Sequence, residues 1–591
     1  MDTDRRLRHG QFPVRGLVLA WAAVCLILLA ISATRLASGQ FPGPDDVLRL
    51  VQVRDLLAGQ GWFDVTQYRI APPEGTAMHW SRLVDVPLLL IIAALTPALG
   101  QAAAETAAAI IVPFAAFALA AAAIGRLAWR LLGPREAVFA VLACGFLPSL
   151  LFQFQPMRID HHGWQIACVA VTLWAISGRQ AKWRGAVAGW AMAAGVTISL
   201  ELLPLAAAFG MVLFSRWWSD DRQRAWLTRY MLALAAGLIG LYLATRGLSL
   251  TPYCDAVSLA HLAFFGIAGL GTFAIRHARS LRGFALVLLF AAVGAAAAAA
   301  FTAIAPQCLA SPFASLPSLV DERWYRLVFE GQPVWRQPVS DYLPGLVQLA
   351  AALGAAILLH LRSRDWPRRW WAEHVFLLLS ALALGLFVAR SLGFAAIIAA
   401  IPLGWLASTL LLRLRGKAAP LVKLASAAAV LLLLAPNAVV MLADAVRPAK
   451  MEPADTVPAR SVSASACDIY ANASRLSRLP QGTVFAPLDI GPALLLETDH
   501  SVVATGHHRA ASAMESVIGA FIAEPEQARS LIAGTSARYL ALCTDMNEAQ
   551  IYASEAPDGL AARLVSNEAP DWLERIALGG PATLAVYRIR N

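Results

Sequence analysis

The chain has few charged residues and few cysteines for its length. Charged residues make up 15% of its 591 positions, whereas hydrophobic residues make up 58%. A soluble protein of this length divides into several domains with polar surfaces, which this composition cannot supply. The seven cysteines form no Cys-x-x-Cys pair and show no spacing typical of a zinc site. The composition therefore excludes a soluble multidomain protein, and the cysteines do not indicate a zinc module.

Three further signals are absent. No glycine-rich phosphate-binding loop precedes the turns between apolar segments, which argues against an ATP-driven pump. The net charge of +10 does not indicate a nucleic-acid partner, because the Arg and Lys residues lie in short turns between apolar segments. No cleavable signal peptide is evident, since residues 14–33 are long enough to span a membrane and are predicted to form an uncleaved first helix.

Long apolar segments dominate the first 444 residues. Most run for about 18–24 residues, which is enough to cross a hydrocarbon core of about 30 Å. Residues 86–100 are also apolar but are interrupted by proline, so we expect a re-entrant or interfacial segment there. The sequence predicts a polytopic α-helical membrane protein with about thirteen spans. They are placed near residues 14–33, 102–125, 137–155, 161–178, 185–200, 202–215, 226–247, 258–275, 283–304, 342–361, 373–389, 392–412 and 421–444.

Short basic turns orient these spans. With the N-terminus inside, all of them fall on one side, as the positive-inside rule requires. The opposite side receives the long connections 34–86 and 305–341 and the tail from residue 445. We therefore expect a protein of the bacterial inner (cytoplasmic) membrane, with a cytoplasmic N-terminus and a periplasmic C-terminal domain. The turns that fix this orientation contain Arg126, Arg130, Arg135, Arg179, Lys182, Arg184, Arg216, Arg222, Arg224, Arg276, Arg279, Arg282, Arg362, Arg364, Arg368, Arg369, Arg413, Arg415 and Lys417.

The composition changes near residue 445, which divides the chain into a transmembrane domain, 1–444, and a soluble α/β domain, 445–591. In the second domain, the alternating runs "TVFAPL", "SVVATG", "ARYLALC" and "ATLAVYRI" predict strands, and "AASAMESVIGAFIAE" and "PEQARSLIAG" predict helices. Cys467 and Cys543 lie there, in a compartment where disulfides persist. We expect them to form a bridge, with two unpaired buried thiols as the alternative. Cys254 and Cys308 also map to external connections.

Polar side chains gather at the ends of apolar segments on the outer face. Charges are costly at membrane depth, so those that occur there are functional candidates. Taken singly, each group is explained by a helix cap or a solvated turn. Together, carboxylates and an imidazole on one face match the ligands that Mg²⁺ and Mn²⁺ take. The pattern favours a divalent-cation site among Asp45 and Asp46 after the first span, Asp160, His161 and His162 in "DHH", and Glu330 in "VFEGQPVW".

These motifs resemble those of the catalytic subunits of oligosaccharyltransferases, a branch of the GT-C membrane glycosyltransferases. "DDVLRLVQVRDLLAG" is similar to the family's first-loop motif and places its Asp on Asp45, with Asp46 as the alternative. "DHH" resembles the family's Asp-x-His motif, which implies Asp160 and His162 as metal ligands and leaves the histidine between them as a spacer. "VFEGQPVW" resembles the Ser-x-Glu-x-x-Pro segment, with Glu330 in the Glu position.

The resemblance also implies binding residues. "ARSLGF" is similar to the place where the family holds an Arg against the donor phosphates, which implies this role for Arg390, with a snorkelling interfacial Arg as the alternative. Arg158 is a further candidate for a phosphate contact. In place of the family's Trp-Trp-Asp-Tyr-Gly signature the chain has "PLDIG", which keeps Asp489 and Gly491 but lacks the aromatic residues. The acceptor is therefore not restricted to an Asn in a sequon.

The implied function is transfer of a sugar or oligosaccharide from a polyprenyl phosphate or diphosphate to an acceptor protein, lipid or polysaccharide, assisted by Mn²⁺ or Mg²⁺. Asp45 or Asp46 and Glu330 would position the acceptor and contact the cation. His79 and Arg82 are candidates for the acceptor path, with packing against the C-terminal domain as the alternative. His507, His508 and Arg509 are expected in an exposed loop.

Two other classes of function stay open. The connections 34–86 and 305–341 would close over the substrates of an enzyme. A transporter or flippase of lipid-linked glycans would need ionisable residues near the middle of the bilayer, and Glu201 is the main acidic candidate between spans. A structural or assembly protein would not need acidic groups that converge on one face. Membrane lipids are expected contacts in every case, and nucleic acid in none.

Overall fold

The computed structural model describes residues 11–178, 180–278, 283–416, 419–435 and 465–590. The predicted domain boundary at residue 444 lies outside the described residues, as does the end of the last predicted span. Four of the basic residues used to orient the spans also lie outside them, namely Arg179, Arg279, Arg282 and Lys417.

Helices form nearly all of the described chain up to residue 435. They are α1 (Val14–Ile31), α2 (Ala33–Ser38), α3 (Pro44–Leu57), α4 (Arg82–Leu99), α5 (Gln101–Leu131), α6 (Pro134–Ala143), α7 (Pro148–Phe154), α8 (His162–Ile176), α9 (Ala181–Ile198), α10 (Leu203–Ser219), α11 (Arg224–Arg246), α12 (Leu259–His277), α13 (Phe284–Ile304), α14 (Ser318–Arg323), α15 (Val339–Arg362), α16 (Asp365–Phe387), α17 (Leu392–Arg415) and α18 (Pro420–Leu434). Between α3 and α4, β1 (Thr66–Gln67) pairs antiparallel with β2 (Thr76–Ala77).

Ten of the described helices are long and apolar enough to cross a membrane, or eleven if the bent pair formed by α6 and α7 is one span. Two shorter apolar helices, α8 and α18, add to these. Helix α9, predicted as a span, is not among the ten, because Lys182 and Arg184 in its first turn lower its hydropathy. The chain is a multi-pass membrane protein of the predicted helical class.

Helix α4 differs from the expectation for residues 86–100. It is one continuous helix that includes Pro87 and Pro97, and it is long and apolar enough to cross a membrane. The helix also starts at residue 82, so the first external connection is shorter than predicted. Its buried side chains Leu88 and Ile92 belong to the apolar core that the C-terminal domain shares. The packing of one face against α5 and this core holds the helix together across both prolines.

The third predicted span, 137–155, is broken. Pro148 follows Leu147, whose extended backbone is the conformation that a following proline favours. The helices on either side of this break are bent by 79°. The bend turns the segment 155–162, which ends with the "DHH" residues, into the protein. Arg158, Asp160 and His162 are consequently buried.

Two apolar cores meet at this segment. One is formed by the membrane helices, including Phe154 and Ile166 on either side of the "DHH" turn. The other is shared by α3, the start of α5 and the C-terminal domain, and it includes Met157 and Ile159. The polar side chains of the turn therefore lie at the junction of the two cores.

The C-terminal region is an α/β domain with a five-stranded sheet in the order β4-β3-β5-β7-β6. β3 is parallel to β4 and β5, and β7 is antiparallel to β5 and β6. The predicted strands and the two predicted helices are confirmed, while the short β6 was not predicted. The strands are β3 (Thr483–Phe485), β4 (Ser501–Val502), β5 (Ala537–Cys543), β6 (Leu573–Arg575) and β7 (Leu584–Ile589). The helices are α19 (Ile469–Asn472), α20 (Gly491–Glu497), α21 (Ala511–Ile522), α22 (Pro525–Ala533), α23 (Asn547–Glu555) and α24 (Leu560–Val565).

Two disulfides are present. Cys467 is bonded to Cys543 at the end of β5, which confirms the predicted bridge. Cys254 is bonded to Cys308, which joins the connection between α11 and α12 to the connection between α13 and α14. The remaining cysteines among the described residues are free.

The first external connection adds to the C-terminal sheet. Val502 N donates to Arg69 O at 2.8 Å, and Ala71 N donates to Val502 O at 3.0 Å, next to the edge strand β4. The guanidinium of Arg69 donates to the carbonyls of Leu495 and Thr498. These bonds occupy the free edge of the sheet and hold the connection against the domain.

Candidate active site

A cavity of about 580 Å³ opens where the membrane helices, the external connections and the C-terminal domain meet. Parallel strands β3 and β4 end at the same edge of the sheet, so the loops that follow them point to one place. The chemically reactive side chains in its wall are Asp45, His79, Arg158, His161, Glu201, Asp255, Glu330, Arg390, Asp489, His507 and His508.

Asp45 and Asp46 occupy different positions. Both lie in the first turn of α3, but only Asp45 lines the cavity. Asp46 is fully buried and accepts from Arg158 Nη1 at 3.0 Å and from the backbone N–H of Asp160 at 2.8 Å. Asp46 therefore holds the "DHH" turn in place, while the carboxylate of Asp45 is available to a ligand.

Asp160 and His162 meet the geometric requirement for a shared cation. Asp160 Oδ2 lies 3.4 Å from His162 Nε2, and both atoms are buried without a hydrogen-bond partner among the described residues. A buried polar atom without a partner is costly unless a ligand satisfies it. An oxygen and a nitrogen at this separation fit neighbouring positions around one cation, at bond lengths of about 2.0–2.2 Å.

His161 does not behave as a spacer. Its Nδ1 is bonded to Asp160 Oδ1, and its ring packs on His162 with centroids 4.0 Å apart. His161, not His162, forms part of the cavity wall. The ligand atoms of Asp160, His161 and His162 lie within 4.8 Å of one another. The resemblance to an Asp-x-His motif did not anticipate that His161 contacts both of its neighbours.

Arg158 lies among three carboxylates. Besides Asp46, its guanidinium is 3.6 Å from Asp160 Oδ2 and 3.6 Å from Glu330 Oε2. Glu330 belongs to a 3₁₀ turn, Phe329–Gly331, in the connection 305–341. The side chain of Glu330 is 35% exposed and that of Arg158 is 4% exposed. The arginine therefore lies at the floor of the cavity and the glutamate at its rim.

Arg390 lies on the other side of Glu330, 3.7 Å away, and is also paired with Glu201. Glu201 Oε2 is in turn 4.0 Å from His162 Nδ1 and has no hydrogen-bond partner among the described residues. Sequence reasoning did not place Glu201 in this group, since it lies between two apolar segments without a motif. The sequence signal was an acidic residue between two predicted spans, and the structure places it in the 3₁₀ turn Leu200–Leu202, directly before α10.

Arg82 is not in the cavity wall. It is fully buried and bonded to Asp85 Oδ2 at 3.2 Å and to the backbone carbonyls of Trp62 and Asp64. Asp85 also accepts from Arg49 and Gln52 of α3, so the four side chains form one buried polar network. This corrects the expectation that Arg82 lies on a substrate path, because all of its nitrogens face the protein.

Asp489 reaches the cavity, whereas its neighbours in "PLDIG" do not. Leu488 and Ile490 are buried in the core of the C-terminal domain. The backbone N–H groups of Leu488 and Asp489 donate to the carboxylate of Glu548 at 2.8 Å each, which fixes the loop. Burial raises the pKa of Asp489, and burial followed by the charge of Asp489 raises the pKa of Glu548 to about 8.

The cavity contains an excess of closely spaced carboxylates. Loss of hydration, followed by the charges of Asp160 and Glu330, raises the pKa of Asp45 to about 7. A carboxyl group held in this way is stabilised by a nearby positive charge, whether from a cation or from a substrate group.

No protein-family model matches the sequence, and no curated protein matches it significantly. Solved structures do match. The archaeal oligosaccharyltransferase AglB from Archaeoglobus fulgidus, in complex with an inhibitory peptide and a dolichol-phosphate, has a TM-score of 0.69 at 12% identity and covers 95% of this chain and 72% of its own. The oligosaccharyltransferase of that organism tethered to an acceptor peptide with an NVT sequon has a TM-score of 0.65 at 11% identity, over 97% and 74%.

A third structure, the Archaeoglobus fulgidus oligosaccharyltransferase in complex with Zn and sulfate, has a TM-score of 0.61 at 13% identity and covers 97% of this chain and 73% of its own. At these identities the similarity establishes the fold, over nearly the whole chain. The protein therefore has the GT-C membrane fold of the archaeal oligosaccharyltransferases, as the resemblance of its motifs implied.

Proposed function

We propose that the protein is a membrane glycosyltransferase. It moves a sugar or oligosaccharide from a polyprenyl phosphate or diphosphate to an acceptor at the outer face of the cytoplasmic membrane. The observation that carries this proposal is the buried pair Asp160 Oδ2 and His162 Nε2, which lack hydrogen-bond partners among the described residues and adjoin a cavity whose wall contains Arg158 and Arg390. A metal cation held by this pair and the guanidinium groups of the arginines would both stabilise the negative charge of a departing phosphate.

Asp160 and His162 would hold a divalent cation, Mn²⁺ or Mg²⁺, with Asp45 and Glu330 close to it. The cation would supply positive charge that stabilises the leaving phosphate. Asp46 positions this pair through the backbone of Asp160.

Arg158 and Arg390 are the residues proposed to bind the donor phosphates. They stand on either side of Glu330, and each is balanced by carboxylates when no phosphate is bound. A phosphate that enters between them replaces contacts to Glu330 with charge-assisted hydrogen bonds, which planar guanidinium groups form in pairs. Glu330, released from both arginines, is then free to contact the acceptor or the cation.

Asp45 is proposed to position the acceptor and to accept its proton as the sugar carbon is attacked. Its raised pKa suits a group that takes a proton near neutral pH. Asp489 lines the cavity from the C-terminal domain and is proposed as an acceptor contact. Because Leu488 and Ile490 take the places of aromatic residues in the family's signature and face the core, we propose an acceptor outside the Asn-sequon class, from a protein, a lipid or a polysaccharide.

The arrangement in the membrane follows from the same proposal. We place the cavity on the periplasmic side, with the basic turns in the cytoplasm and residues 445–591 as the periplasmic domain. The connection 305–341 supports a common location of the cavity and the C-terminal domain, because α14 packs on α21 of that domain while Glu330 reaches the cavity. Arg323 in α14 is 2.6 Å from Glu555 of the C-terminal domain.

A transporter or flippase is less consistent with the geometry. Glu201, its main acidic candidate, pairs with Arg390 and lies beside His162 in the cavity wall. Its charge is thus part of the polar cluster at the junction of the two cores.

Release of polyprenyl phosphate tests the proposal. The purified chain would be incubated with Mn²⁺, membrane lipid extract and candidate acceptors, next to an Asp160→Ala/Glu330→Gln double variant. We expect release by the wild-type chain and by Glu322→Gln, an exposed position in the same connection, and none by the double variant. Full release by the double variant would refute the assignment.

A further inference from the structure

A second group of side chains in the molecule is built to bind a cation. We propose that His79, His507 and His508 form a site for Zn²⁺ or a similar borderline transition-metal ion, distinct from the Asp160–His162 pair. His79 follows β2 in the first external connection, and the other two follow β4 in the C-terminal domain. The expectation of an exposed loop at 507–509 is not met, since His507 is buried and its neighbours are half-buried.

The three rings form a nearly regular triangle. Their centroids are 5.0 Å apart for His79 and His507, 4.9 Å for His79 and His508, and 5.0 Å for His507 and His508. Three imidazoles on a tetrahedral ion, with Zn–N bonds of about 2.0–2.1 Å, have their ring centres about 5 Å apart. The ligand atoms of the three residues lie within 4.8 Å of one another, and His79 Nδ1 is 2.9 Å from His507 Nε2.

Asp255 orients one of these rings as an outer partner of a metal ligand does. His508 Nε2 lies 2.7 Å from Asp255 Oδ2, so Nε2 donates to the carboxylate and Nδ1 is the nitrogen left for a metal ion. Asp255 is itself fixed by Arg509, at 2.8 Å from Nε and 2.6 Å from Nη2. A carboxylate on the far nitrogen of a histidine is the usual support of a bound metal, and it fixes both tautomer and ring orientation.

The other two rings are joined to each other by a hydrogen bond between His79 Nδ1 and His507 Nε2. His507 Nδ1 is buried without a hydrogen-bond partner among the described residues. Neutral imidazoles with no carboxylate directly between them suit zinc and its neighbours rather than Mg²⁺.

The charges around the three histidines favour an anion as the fourth ligand of the metal ion. Arg509 donates to the carbonyl of Met78, and Arg246 donates to the carbonyl of His79. Asp255 is hydrogen-bonded to Arg509. An anion bound to the metal ion would offset the positive charge of the ion and of the two arginines. All three histidines line the cavity through which such an anion would enter. The site would join the first connection to the C-terminal domain and offer an open position to a phosphate or carboxylate.

Zinc binding tests the proposal without any activity assay. A chain carrying a purification tag without histidine would be stripped with a chelator and titrated with Zn²⁺ and Co²⁺ in an Asp160→Asn/His162→Asn background. That background removes the other cation cluster. We expect one equivalent of tightly bound metal and the absorption of tetrahedral Co²⁺, both lost on adding His507→Asn/His508→Asn. His277→Asn, an exposed histidine elsewhere, is the matched control and leaves both unchanged.

Two measurements keep the result independent of folding defects. X-ray absorption of one equivalent of zinc on the Asp160→Asn/His162→Asn chain should show a shell of three imidazoles, and adding Asp255→Asn should weaken zinc binding about 10- to 100-fold. Unchanged stoichiometry and affinity in the double His variant would overturn the site. So would a stripped chain in the background variant that binds no zinc at all.

Discussion

Asp160 Oδ2 and His162 Nε2 lie 3.4 Å apart, buried, and without a hydrogen-bond partner in the described part of the chain. Buried polar groups of folded proteins are nearly always satisfied, so we expect a ligand to complete this pair. One residue separates the carboxylate from the imidazole in sequence, and the bend between α6 and α7 brings them inside, next to Arg158 and His161 of the cavity wall. The proposed cation site rests on this pair.

Replacing Asp160 or His162 should strongly lower the transferase activity. We expect Asp160→Asn and His162→Asn each to lower the rate of polyprenyl phosphate release about 100-fold or more, since even the outer partners of metal ligands cost 10- to 100-fold. The rate is measured against Mn²⁺ concentration. A variant that has lost a ligand should need more Mn²⁺ for half-maximal rate, whereas His277→Asn should follow the wild-type curve. Identical curves for all three variants would contradict a cation at this pair.

Substitution of the two neighbouring aspartates, Asp45 and Asp46, should change the thermal unfolding midpoint in different ways. Asp46→Asn removes the buried partner of Arg158, and such a loss costs about 3 kcal/mol or more. We expect a lower thermal unfolding midpoint together with lost activity. Asp45→Asn should lose activity while its midpoint in chelator at pH 8 stays the same or rises, because a carboxylate whose pKa is raised to about 7 destabilises the fold above that pH. A fall in the midpoint of Asp45→Asn equal to that of Asp46→Asn would show that both are structural.

The sequence anticipated the residues that stand at the ends of apolar segments. Asp45, Asp160 and Glu330 could be assigned to one face from the order of the spans and the basic turns alone. The structure places Asp45 and Glu330 in the cavity wall and Asp160 next to Arg158 of that wall. The strands of the C-terminal domain were also predictable, because their apolar runs are short and are bounded by turn residues.

Other parts of the site depend on packing that no local pattern records. Glu201 joins the cavity only because Arg390, far along the chain, pairs with it. Arg82 was expected on a substrate path, but a network that includes Asp85 and Arg49 encloses it. The continuity of α4 was missed for a related reason, since Pro87 and Pro97 predict breaks that tertiary packing overrides.

Glu548 should make stability depend on pH. Its pKa is raised from 4.5 to about 8, so between these values the folded chain binds more protons than the unfolded chain. Stability from this group is then full below about pH 4.5 and falls as pH rises to 8, by at most about 1.4 kcal/mol per pH unit. Thermal midpoints from pH 5 to 9 should decline less steeply in Glu548→Gln. Glu526→Gln, an exposed position of the same domain, should keep the wild-type slope, and equal slopes in all three chains would contradict the burial of this charge.

Arg390 should bind the donor by geometry as well as by charge. Its guanidinium contacts Glu201 and Glu330 from two directions, and a planar group that pairs with two oxygens can transfer the same pairing to a phosphate. Arg390→Lys keeps the charge but loses the fork, so we expect a 10- to 100-fold loss in kcat/KM for the lipid donor, an effect of about 1.4–2.7 kcal/mol. The KM for the acceptor should stay within about twofold of the wild-type value, because Asp45 and Asp489 are untouched. Arg326→Lys, an exposed arginine of the connection 305–341, serves as the control. If Arg390→Lys raised only the KM for the acceptor, Arg390 would belong to the acceptor path, and the donor phosphates would have to be bound by Arg158 without it.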